Sequence, residues 1–340
     1  MPYQLYTQRS IMSSNSSEPN HNLEEGHPKC RYRLDNGSSR ILTLPDGRNL
    51  GYAQYGSPTG HAILYQHGLP GSRLEAASYR DLTAELGINF ISMDRPGIGW
   101  SSPHNSGTLL SWAKDIEYLT EYLALEQYSV LGVSGGGPYA LACAALLPPT
   151  KLKCVSIVCG LGPPDISMRQ AEWLHWLGFP YGWRYAPVFL IRWFFHRDTF
   201  GRLDLSDEQR LEMLLSPSIL AAIKNPKDKE IMSDESVLRL ALRSTREANA
   251  QGFNGIAADG RRMCCDWGFR IEDIRRDLPV QLWYGKNDRF VPPNHGEEIA
   301  ARLGGSEGKA VLRLEDDTHV SISQHWKRAQ LEAILAEVRG

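Results

Sequence analysis

Nowhere in its 340 residues does the chain carry an apolar run approaching the ~20 residues of a membrane-spanning helix, so stable insertion into a bilayer is not expected. It has no excess of either charge. The 37 Lys and Arg are balanced by 39 Asp and Glu scattered along the sequence, which leaves no electrostatic footprint for nucleic acid. Cysteine is sparse, at six residues. No apolar leader heads the N-terminus, so reduced thiols and a cytoplasmic location are expected. Cys143, Cys154 and Cys159 lie in apolar segments and read as small core residues. Cys264 and Cys265 lack His or Cys partners at metal-ligand spacing. No metal and no cofactor is expected.

What is present suits one large globular unit. Hydrophobic residues make up 42% and charged residues 22%, enough to bury a sizeable core. Residues 1–39 are rich in Ser, Asn, Glu and His and are expected to form a disordered tail, with Met12 as an alternative start. The sequon at Asn15 carries no weight without secretion. Beyond it, short apolar strands alternate with amphipathic helices, the pattern of a mostly parallel sheet covered on both faces. Strands are predicted at 40–44, 49–55, 62–66, 89–93, 128–133, 153–158, 280–284 and 311–314. Leu109, Trp112, Ile116, Leu119 and Leu123 mark one helix face. A closing helix is expected to turn Ile322, Trp326, Ala329 and Ala333 inward. Between 163 and 268 the alternation stops, and the chain becomes helical in flavour and dense in aromatics. This stretch is expected to be a cap inserted into a core made of 40–162 and 269–340.

The most informative motif is Gly132-Val133-Ser134-Gly135-Gly136. It follows an apolar strand and precedes a helical pattern, the context in which G-x-S-x-G marks a nucleophile on a sharp turn. Small residues at 132 and 136 let the two arms pass. No Gly-Lys-Ser/Thr follows, so a phosphate loop is excluded. Three further segments point the same way. The strand at 62–66 ends in His67-Gly68-Leu69-Pro70-Gly71, a loop able to aim backbone N–H groups at a developing oxyanion, with Leu69 and Gly135 as the two donors. His67 reads as a loop-fixing residue. Asp94-Arg95-Pro96-Gly97 reads as a structural loop beside the pocket, with Arg95 expected in a salt bridge and contact with substrate or the nucleophile loop as its alternative role. Finally, Asp288 and His319 follow two successive strands. A serine hydroxyl needs a base, and the base a carboxylate, and the order Ser134, Asp288, His319 is one in which such residues occur.

On these residues the chain resembles the α/β-hydrolase superfamily, in the serine-nucleophile branch with an H-G-x-P-G loop, a D-R-P-G-x-G-x-S loop and a Gly-Pro-Tyr after the elbow. The resemblance runs from about residue 40 to the C-terminus and is firm over 62–147 and 280–326. It implies an α/β-hydrolase fold and an intact Ser134, Asp288, His319 triad; because some members of the family carry the acid after the preceding strand, it makes Asp165 the reserve acid. Members with an aspartate nucleophile are disfavoured by the serine. The expected activity is cofactor-independent cleavage of an ester, lactone or thioester of a small apolar acyl substrate. C–C bond hydrolysis, acyl transfer or cyclisation by the same triad are alternatives, as is a hydrolase-fold receptor that traps a small molecule. A surface-active lipase would favour an exposed apolar lid. Trp176 and Trp183 are candidate substrate contacts within the cap, the competing role for each being plain packing.

Overall fold

The computed structural model describes residues 30–339. Residues 1–29 of the expected tail lie outside the described residues. The tail's last stretch, 30–38, lies against the body: Tyr32 and Leu34 pack on a core cluster, and Arg31 pairs with Asp234 at 2.6 Å.

Eight strands form one sheet: β1 (Ser39–Thr43), β2 (Asn49–Gly56), β3 (His61–Gln66), β4 (Ile88–Met93), β5 (Tyr128–Val133), β6 (Leu152–Val158), β7 (Val280–Gly285) and β8 (Ala310–Glu315). Their spatial order is β1-β2-β4-β3-β5-β6-β7-β8. Only the β1–β2 and β2–β4 pairs are antiparallel. β4, β5 and β7 are buried along their whole length, as expected of strands covered on both faces. One core cluster joins Leu64, Val130 and Leu282 to Trp112 and Ile116 of the helix Leu109–Tyr122. The other joins Ile63, Tyr65, Leu131 and Trp283 to C-terminal side chains.

After β3 the chain steps to β4 on one side, and β5 takes the place on the other side of β3. Such a reversal opens a crevice at the carboxyl ends of the two strands, where open α/β sheets place their ligands. His67 follows β3 at that edge, and Ser134 follows β5.

The expected closing helix is two, His319–His325 and Lys327–Arg339. The break falls at Trp326, whose indole N–H donates to Asp317 at 2.8 Å, and Gln330 reaches back to the Ile322 carbonyl. Ile322, Leu331, Ile334 and Leu335 are the buried hydrophobic residues of this region, while Trp326, Ala329 and Ala333 are only partly buried.

No strand interrupts the chain between β6 and β7. The helices there include Trp173–Leu177, Val188–Phe195, Asp207–Leu214, Glu235–Ala248 and Asn254–Cys264. Leu211, Leu214, Leu238 and Leu242 give this region a small core of its own. No helix of the described residues is long and apolar enough to cross a membrane.

Candidate active site

Ser134 stands directly after β5 with φ +53°, a left-handed conformation that costs a non-glycine residue about 1–3 kcal/mol. The helix Gly137–Leu146 then runs back over the sheet. The turn is tight enough to forbid side chains on both arms. A Cβ on Gly132 would lie 2.6 Å from the Gly136 carbonyl oxygen, and one on Gly136 would lie 2.1 Å from that of Gln66. Packing of the strand and helix thus imposes the strained φ, which lifts the Ser134 hydroxyl clear of its own backbone.

His319 is the first residue of its helix, fixed by a capping box between Thr318 and Ser321. Its Nε2 lies 2.9 Å from Ser134 Oγ and its Nδ1 2.7 Å from Asp288 Oδ2. Asp288 is buried, and its other oxygen accepts the backbone N–H groups of Phe290 and Val291 at 2.8 and 2.9 Å. In the neutral imidazole, an acceptor-only carboxylate places the proton on Nδ1 and leaves Nε2 to accept from the serine. The three sequence-predicted residues are therefore brought together in one relay. Asp165 is not part of it; it pairs with Arg302 at 2.7 Å.

Burial alone would lower the His319 pKa, but the Asp288 carboxylate outweighs it and the imidazole is held well above its ordinary value. Phe290 stacks on His319 with ring centroids 5.3 Å apart, and His175 lies 4.3 Å from Phe290 in turn. Cys159, also at positive φ (+42°), brings Sγ to 3.9 Å from His319 Nε2. Cys159, Asp288 and His319 are the one group among the described residues whose donor atoms are close enough to share a metal ion. A metal there would have to displace the bonds His319 already makes to Asp288 and Ser134.

The loop after β3 closes the other side. A Cβ on Gly135 would sit 3.2 Å from Leu69 N and 3.0 Å from Leu69 Cβ, so the backbone of Leu69 lies directly beside Gly135. Two side chains, the buried Arg95 and the half-buried Glu75, hold this loop. Arg95 donates to the carbonyls of His67 and Gly68 at 2.6 and 2.8 Å and pairs with Asp259 at 2.7 Å. Glu75 accepts from Gly68 N–H and from the Tyr65 hydroxyl. His67 is fully buried, its Nδ1 lies 2.9 Å from the Gly68 carbonyl oxygen, and burial first and Arg95 second push its pKa well down. It is a neutral member of the loop.

Sequence reasoning missed Asp259, Glu75 and Phe290. Asp259 lies 164 residues from Arg95, so no local pattern links them; the signal available was a buried arginine requiring an acid. Trp183 is buried, its ring 5.3 Å from that of Phe195 and over Gly260, whereas Trp176 is half exposed.

A mostly parallel eight-stranded sheet with a serine on a strained turn behind its fifth strand is the architecture of an α/β hydrolase. The chain belongs to the alpha/beta hydrolase fold family, which it matches over residues 61–325. Among curated relatives, it is 29% identical over 136 residues to a proline iminopeptidase of Arabidopsis thaliana, covering 39% of this chain and 36% of that protein. It is 32% identical over 284 residues to a putative proline iminopeptidase of Mycoplasma pneumoniae, covering 78% and 87%. Of the proline iminopeptidases of Arabidopsis thaliana and Xylella fastidiosa, the first relatives it matches, the chain spans only 36% and 48% of the length. A solved structure from work on carboxylesterases of Nitrososphaera gargenis superposes with a TM-score of 0.59 at 15% identity, over 88% of this chain and 99% of that one. At that identity the likeness is one of fold.

Proposed function

We propose that the protein is a serine hydrolase that cleaves an ester, lactone or thioester of an apolar small molecule through an acyl-enzyme. The observation that carries this reading is the unbroken relay from Ser134 through His319 to Asp288. Ser134 attacks the carbonyl, His319 takes its proton and returns it to the leaving group, and Asp288 orients the imidazole and stabilises its charged form. The amides of Leu69 and Gly135 bind the oxyanion. In this reading 40–162 and 269–340 are the core, and 163–268 is a helical cap over the crevice.

A second reading, an aminopeptidase, is favoured by the names of the relatives. It requires a carboxylate beside Ser134 for the substrate ammonium. The half-buried Glu75 and the buried Asp259, acids next to the loop, are both already bonded, which supports an uncharged acyl group. The two readings separate on p-nitrophenyl esters of rising acyl length assayed beside L-proline p-nitroanilide. The expected result is a kcat/KM that rises by up to about fourfold per methylene (~0.8 kcal/mol) until the pocket is filled, with the anilide slower than every ester. Preference for the anilide would transfer the same relay to peptide hydrolysis.

The pH profile follows from the raised pKa of His319. A group whose pKa is raised keeps its proton to higher pH, and a protonated imidazole accepts nothing from Ser134. kcat/KM should therefore fall with decreasing pH, tenfold per unit, below a midpoint above the ordinary histidine value of about 6.5. Asp288→Asn should move that midpoint down, because the carboxylate is what raises it. A midpoint well under 6.5 in the wild type, with chemistry rate-limiting, would remove His319 from the role.

A further inference from the structure

The segment from Trp173 to Arg197 presents an unusual surface. Trp173, Trp176, Tyr185, Phe189, Trp193 and Phe194 are 48–70% exposed. With Leu174, Leu177 and Leu190 also exposed among them, they concentrate large apolar side chains outside the body within one short stretch of chain, where single scattered exposures are the norm. On the helix Val188–Phe195 the exposed rings pair at i, i+4 (Phe189 with Trp193, Leu190 with Phe194), and only Ile191 is buried. The helix is seated by its narrow edge and offers its broad apolar face outward.

The charge within this segment is one-sided, with the exposed acids Glu172 and Asp198 only at its two edges. Arg184, Arg192 and Arg197 are exposed, and no Asp or Glu occurs between Trp173 and Arg197, although acids slightly outnumber bases in the whole chain. None of the three arginines makes a salt bridge within the segment, which has no acid to supply one. Two sit against the rings themselves, Arg184 at 5.2 Å from Tyr185 and Arg197 at 4.8 Å from Trp193. Exposed Trp and Tyr with arginines at the same level match the interfacial zone of a bilayer, where rings enter the acyl boundary and guanidinium groups meet lipid phosphates. A two-fold contact with a second copy fits less well, because it would set the arginines of one patch against those of the other.

We propose that residues 173–197 are a docking surface by which the protein lies on a bilayer containing anionic lipid. The helices are too short to cross it, so the contact is peripheral. The surface also adjoins the candidate active site: His175 in the helix Trp173–Leu177 packs on Phe290, which stacks on His319. On the hydrolase reading above, an apolar substrate dissolved in the lipid would reach Ser134 from this side; the docking itself does not depend on that reading.

Flotation of the full chain with vesicles tests the proposal. The protein should float with phosphatidylcholine vesicles containing phosphatidylserine, less with phosphatidylcholine alone, and less again in high salt. Phe189→Ser combined with Trp193→Ser should abolish flotation, while circular dichroism and melting stay unchanged because both rings are exposed. Each of Arg184→Gln, Arg192→Gln and Arg197→Gln should weaken binding to anionic vesicles by about fivefold and leave phosphatidylcholine binding unaltered. Ser134→Ala should float like the wild type, which keeps loss of docking distinct from loss of hydrolysis. Failure to float with either vesicle would overturn the proposal. So would lipid-free self-association that the Phe189→Ser, Trp193→Ser pair abolishes, since the patch would then be an interface between copies.

Discussion

Replacing Ser134 by alanine is expected to lower kcat on the best ester by a factor on the order of 10⁴ or more. The mutant loses the only group that the relay can activate, while the amides of Leu69 and Gly135 remain. It should therefore bind ester with little change in KM and keep only the residual turnover, on the order of 10³–10⁴ over water, that binding and the two amides supply. Removing His319 as well should cost little more, because residues that act as a unit do not contribute additively. Stability gives an independent reading of the same position. Alanine tolerates φ +53° no better than serine does, so Ser134→Ala should melt close to the wild type. Ser134→Gly relieves the strain and should be the more stable variant by up to about 1–3 kcal/mol, and equally inactive. A position whose best residue for stability abolishes activity is one held for chemistry.

Asp288→Asn should cut kcat by about 10³–10⁴. An asparagine can offer its N–H₂ to Nδ1, which pins the imidazole in the tautomer with the proton on Nε2. That proton then faces Ser134 Oγ, 2.9 Å away in the wild type, and the base is lost although the geometry is kept. The amide oxygen can still accept the backbone N–H groups of Phe290 and Val291, so the loop should stay folded and the defect should appear in kcat. Asp165→Asn breaks only a half-exposed pair with Arg302, worth about 0–1 kcal/mol, and should leave kcat near wild type. The reverse ranking would place the acid after β6.

The strands were legible to within about a residue at each end. A buried parallel strand is a short apolar run closed by Gly, Pro or a charged turn, as at Tyr128–Val133 before Gly135 and Gly136. Ser134, Asp288 and His319 were legible for a related reason: each sits just past a strand, and strand order carries them to one edge of the sheet. Local signals ended where partners come from far along the chain. Asp259 reaches Arg95, and Asp317 takes the Trp326 indole and ends a helix that periodicity alone would continue. The aromatics of 173–197 failed differently. Hydrophobicity predicts burial, against the core or against substrate; the structure buries Trp183 but leaves Trp173, Trp176, Tyr185, Phe189, Trp193 and Phe194 outside. Their exposure depends on how helices of three to eight residues seat on the body, which no periodicity over such lengths specifies.

The central claim is that Ser134 is a nucleophile activated by His319. A fluorophosphonate probe tests it most directly, since it phosphonylates only a serine whose hydroxyl is activated in this way. The protein is incubated with the probe, digested, and the adduct located by mass spectrometry. The account predicts one adduct per chain, on Ser134, forming more slowly as pH falls and absent from Ser134→Ala. Labelling that persists in Ser134→Ala, or a fully active enzyme that takes up no label, would contradict it.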